Sequence, residues 1–84
     1  MNSQQRKTLE QVFASPVNGN LEWRKIEALL LAVGCDRTEG SESSVAFSHS
    51  GLTVRFHRPD PQREALRYRV ADARKFLQEI GVTP

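Results

Sequence analysis

The chain has 84 residues, 26% of them charged and 38% apolar, with a formal net charge of +2. That length allows one domain, which buries only about 60–65% of its unfolded surface, so the core must be compact. A single cysteine, Cys35, excludes a disulfide framework and a thiolate metal cluster, and no apolar run approaches the roughly 20 residues of a membrane helix. The polar start, Asn2 to Gln5, lacks the apolar stretch of a signal peptide. The expectation is a cytoplasmic globular domain without membrane contact.

In chain order, Asn2 or Ser3 caps a first helix running to about Ala14, with Leu9, Val12 and Phe13 as a short apolar stripe. Pro16 stops it, and residues 15–20 form a loop. Asn20 is positioned to cap a second helix from Leu21 to about Val33. Trp23, Ile26, Leu29, Leu30 and Val33 share one face of it, whereas Arg24, Lys25, Glu27 and Ala28 lie elsewhere. Trp23 is read as a core anchor. Gly34 suits the position just past the helix end. Residues 1–19 are expected to form a helical extension and loop, and residues 20–84 the domain proper.

Cys35 to Glu39 reads as a short edge strand whose charges, Asp36, Arg37 and Glu39, guard the edge. Cys35 itself, with no base or second thiol nearby in sequence, reads as a small structural residue. Gly40-Ser41-Glu42 then turns the chain into a hairpin over residues 43–59, with Ser50-Gly51 as a two-residue turn. That turn sets His49 opposite Leu52, Phe47 opposite Val54 and Val45 opposite Phe56. On the other face it sets Ser48 opposite Thr53, Ala46 opposite Arg55 and Ser44 opposite His57. A slip of one residue would scramble both faces. The expected buried set is Val45, Phe47, Leu52, Val54 and Phe56, and Ser44, Arg55 and His57 face outward.

Pro59 and Pro61 cannot donate to a ladder, so the strand ends before them. An extended loop to Leu66 is expected, with Tyr68 and Arg69 leading into a last helix through Ile80. Its apolar face is Val70, Ala73, Phe76, Leu77 and Ile80. The order helix, helix, three strands, helix gives an α+β two-layer sandwich. A three-stranded antiparallel sheet is covered on one face by the second and third helices.

Charge is uneven. Residues 1–50 carry five Lys/Arg against six Asp/Glu, and residues 51–84 carry seven against four. Arg55, Arg58, Arg63, Arg67 and Arg69 crowd one short segment, and the planar guanidinium suits phosphate. A solvated face is the plain reading of this excess, and a polyanion contact is the sharper one.

The helix end Leu29-Leu30-Leu31-Ala32-Val33-Gly34-Cys35, the strand Ser43-Ser44-Val45-Ala46-Phe47, the strand exit Phe56-His57-Arg58-Pro59-Asp60-Pro61 and the segment from Val70 to Gly81 together resemble the HicA family of small bacterial toxins. The resemblance covers Asn20 to Val82 and rests on order and spacing rather than on one motif. It implies a double-stranded-RNA-binding-like α-β-β-β-α fold, a role as mRNA interferase in a HicA–HicB toxin–antitoxin pair, mRNA as substrate and a HicB-like antitoxin as partner. The family strand commonly begins Gly-Ser-His with a catalytic histidine. Aligned on Phe47, this chain has Glu42-Ser43-Ser44, so Ser44 occupies the histidine's place.

Metal-free RNA cleavage needs a base, an acid and cations for the phosphate. Histidine is suited to proton transfer near neutral pH, and His57 stands opposite Ser44 in the expected register. The candidate site is therefore His57 as acid or base beside Ser44, with Arg55, Arg58, Ser43, Arg63 and Arg67 as RNA contacts. No metal or cofactor is expected: no zinc-like His/Asp/Glu spacing, glycine-rich phosphate loop or nucleophile elbow is present. An RNA-binding domain that has lost cleavage, or a protein-interaction module using the edge strand, remain the alternatives.

Overall fold

A computed structural model describes residues 1–60 and 63–84, and Pro61, the second proline of the strand exit, lies outside the described residues. The elements are α1 (Ser3–Val12), α2 (Trp23–Ala32), β1 (Asp36–Glu39), β2 (Ser44–His49), β3 (Leu52–His57) and α3 (Leu66–Glu79). The sheet is antiparallel in the order β1-β2-β3. It is the expected α+β sandwich, with α2 and α3 on one face and the other face open.

The hairpin has the expected register at every rung, from Ser44↔His57 to His49↔Leu52. Ser50 and Gly51 both take positive φ, 53° and 79°, as a twist-matched two-residue turn demands. Val45, Phe47 and Phe56 are buried and Val54 is half-buried. Leu52 departs from expectation: it lies beside the turn, past the end of the covering helices, and is 38% exposed.

On the covered face Trp23 meets Phe56 edge-on with ring centroids 4.9 Å apart, and Phe56 meets Phe47 at 6.3 Å. Ile26, Leu29 and Leu30 from α2 and Val70, Ala73, Phe76 and Leu77 from α3 complete this layer. Leu9 and Val12 of α1 belong to the same cluster, so α1 packs into the core beside α2 and α3. Asn2 caps α1 reciprocally with Gln5, through two 2.9 Å bonds.

The second and third helices end in the same way. Gly34 donates to the Leu31 carbonyl and Cys35 to Leu30; Gly81 donates to Gln78 and Val82 to Leu77. The glycines sit at φ of 100° and 82°, the left-handed conformation this double bond requires.

Two helix starts differ from the sequence reading. Asn20 does not cap α2. The cap residue is Glu22, without a side-chain bond, because Leu21 to Trp23 are drawn out against the 63–65 segment. The Trp23 N–H donates to the Arg63 carbonyl at 3.0 Å, and the Ala65 N–H to Leu21 at 2.7 Å. α3 begins at Leu66, so Tyr68 and Arg69 already lie in its first turn. Leu66 enters with φ of 68°, a left-handed conformation that a leucine in sequence does not advertise. No described helix is long and apolar enough to cross a membrane.

Candidate nucleic-acid interface

Strand alternation sorts the polar residues of the sheet between two faces. On the open face lie three cross-strand rows. The first, nearest the hairpin turn, is Asp36, Ser48 and Thr53, where the Ser48 and Thr53 hydroxyls meet at 3.1 Å. The second is Thr38, Ala46 and Arg55, and the third is Ser44 and His57. Negative charge therefore sits at the turn end, and the cationic and titratable groups at the other.

The structure brings Ser44, Arg55 and His57 together as the register requires. Arg55 and His57 are exposed and Ser44 is half-buried. Because the Arg58 N–H donates to the Ser43 carbonyl at 2.7 Å, the hydrogen-bonded rungs fall at 43–58 and 45–56. Ser44 and His57 thus form the closer, non-hydrogen-bonded kind of pair, with Cα atoms about 4.5 Å apart. Arg55, two residues along the same strand, lies roughly 7 Å from His57. The Ser44 hydroxyl donates to the Ser41 carbonyl at 2.8 Å. Gly40 makes room for it, since a Cβ there would fall 2.2 Å from Ser44 Oγ.

His57 is fixed from behind. Arg69, only 8% exposed, donates from Nε to the His57 carbonyl at 2.9 Å and from Nη1 to the Ala65 carbonyl at 3.3 Å. Its guanidinium also lies over the Tyr68 ring, 4.6 Å from the centroid. Sequence reasoning counted Arg69 only as surface charge. Yet it stands four residues before Ala73 and seven before Phe76, on the buried stripe of α3, and that spacing was the available signal.

Arg58 is the main correction among the candidate phosphate ligands. One residue past His57, it alternates to the helix-covered side and is spent on carboxylates. Its Nε donates to Glu27 at 2.7 Å, and Nη1 and Nη2 reach Glu39 at 2.8 and 2.9 Å. These bonds, to Glu39 first and Glu27 second, raise the guanidinium above its ordinary value and hold it charged. The same Arg58 bond holds the Glu39 carboxyl below the usual carboxylate range.

Glu27 lies off the apolar stripe of α2, yet its side chain is only 12% exposed. It also accepts from the Trp23 indole N–H and from Arg37 at 3.4 Å. A buried tryptophan needs a partner for its N–H, and the acid one turn later was the legible clue. A shallow cleft of about 420 Å³ beside this cluster is lined in part by Arg24, Leu31 and Arg37.

The other candidates lie apart. Ser43 is exposed and contributes its carbonyl to Arg58. Arg63 and Arg67 are exposed, on the segment before α3 and in its first turn. His49 is half-buried on the covered side, with Nδ1 2.7 Å from the Ser50 hydroxyl. Burial, reinforced by Asp36, pushes the Cys35 thiol up and away from thiolate chemistry. Among the described residues no three His, Cys, Asp or Glu side chains converge as a metal site requires.

The arrangement is an open polar sheet face with Arg55 and His57 exposed at the end away from the hairpin turn. It suits a polymer backbone better than an enclosed small molecule. The chain matches no family model, no curated protein and no solved structure.

Proposed function

We propose that this chain is a HicA-like toxin of the cytoplasm that binds mRNA across the open face of its sheet and cleaves it without metal, held in check by an acidic HicB-like antitoxin covering Arg55 and His57. The observation that carries the reading is His57, exposed directly opposite Ser44 where the family's histidine would stand, with Arg55 beside it. In this reading Arg55 holds a phosphate oxygen, and the His57 imidazole takes the proton of the adjacent 2′-hydroxyl as that oxygen attacks phosphorus; the P–O5′ bond breaks, leaving a 2′,3′-cyclic phosphate, and the departing 5′-oxygen takes a proton from water. Arg69 positions His57 by fixing its backbone.

A second reading is favoured by one observation. The Ser44 hydroxyl is turned back to the Ser41 carbonyl and His49 lies on the covered side, so among the described residues His57 is the only imidazole on the open face. A domain so equipped binds RNA without cutting it. Induction of wild type and His57→Ala in cells, with RNA cleavage followed in parallel, separates the two. Loss of cleavage and growth arrest with RNA affinity retained supports the toxin reading. Undiminished cleavage and arrest in His57→Ala would remove His57 from the mechanism.

A further inference from the structure

The two edges of the sheet are finished differently. At the β3 edge the His57 carbonyl is taken by Arg69. At the β1 edge all four residues, Asp36 to Glu39, are exposed. The Gly40 N–H points inward to the Ser44 carbonyl at 2.9 Å, so alternation turns Thr38 and Asp36 inward as well. The N–H and C=O groups of Arg37 and Glu39 therefore point out from the sheet.

We infer that this edge pairs with a second copy of the same chain, β1 against β1 antiparallel about a two-fold axis at Thr38. Outward backbone groups on residues 37 and 39 admit three symmetric registers. Placing Arg37 opposite Arg37, or Glu39 opposite Glu39, sets like charges face to face. Placing Arg37 opposite the partner's Glu39 sets opposite charges face to face at both ends, beside the ion pairs each already makes within its own chain, and Thr38 then meets its own copy on the open face. The charges that repel an arbitrary strand are complementary to this one, as an isologous interface requires.

The product is a continuous six-stranded sheet with one uninterrupted open face. Its two Arg55–His57 pairs lie five strand spacings apart, roughly 24 Å. The dimer does not depend on the proposed chemistry of those pairs.

Analytical ultracentrifugation over micromolar to millimolar concentrations tests the pairing. Wild type should pass from monomer to dimer. Arg37→Pro should remain monomeric with an unchanged circular dichroism spectrum, because the N–H it removes points out of the sheet and bonds no other described residue. Arg37→Glu and Glu39→Arg should each weaken self-association about tenfold. Mixed together they should form a heterodimer, since every facing pair is again opposite in charge. Wild type that stays monomeric at millimolar concentration overturns the inference and leaves the edge to a strand of another protein. So does an Arg37→Pro dimer of wild-type strength, or charge variants that self-associate as tightly as wild type.

Discussion

Arg55 and Arg58 leave the same end of the hairpin three residues apart and meet opposite surroundings. Arg55 stands in water on the open face, with no carboxylate partner among the described ion pairs. Arg58 lies on the covered side, its side chain 23% exposed, clamped by Glu27 and Glu39. One guanidinium is available to a ligand and the other ties β3 to α2 and β1. The difference comes from strand parity alone, so residue type by itself does not say which arginine serves function.

The covered side should be the sensitive one. Trp23→Ala removes a fully buried ring that packs on Phe56 and should cost about 4 kcal/mol, read as a fall in the urea midpoint. Glu27→Ala leaves the Trp23 indole and Arg58 without their shared acceptor, and a loss of about 2 kcal/mol is expected. An unchanged midpoint in Glu27→Ala would show that the cluster contributes nothing net.

The paired arginines sharpen the contrast further. Arg58→Ala should lose about 1.5 kcal/mol by taking from Glu27 and Glu39 the cation they share, whereas Arg55→Ala should stay within about 0.5 kcal/mol of wild type. Equal losses would erase the distinction between the two faces.

The smallest effect concerns acid. Glu39 has its folded value lowered by the Arg58 bond, so its contribution is present above the ordinary carboxylate range and is lost as pH falls through the lowered value. Glu39→Gln should flatten that acid limb of the stability profile. It should leave stability on the alkaline side without a new pH dependence.

The elements that announced themselves in sequence have local causes. The Ser50-Gly51 turn allows one register, and period-2 alternation fixed the two faces of β2 and β3. Gly34 marked the end of α2. What stayed hidden depends on distant chain. Leu21 to Trp23 are held extended by residues 63–65, which no local cap residue can reveal. Leu66 starts a helix from a left-handed conformation, its N–H held by the distant Gly19 carbonyl. Within the candidate site, Ser44, Arg55 and His57 were legible from alternation. The same alternation carried past His57 would have sent Arg58 inward, and heptad-like spacing would have placed Arg69 in the core. The first required strand parity to be followed past the end of β3, and the second required helical spacing to be carried back into the first turn of α3.

The most direct measurement is RNA affinity, by fluorescence anisotropy across a salt series, for Arg55→Ala beside Arg58→Ala. The account predicts that Arg55→Ala weakens binding and lowers the salt slope by about one, while folded Arg58→Ala binds as wild type does. Loss of affinity in Arg58→Ala with none in Arg55→Ala would place the RNA surface on the other side of the sheet.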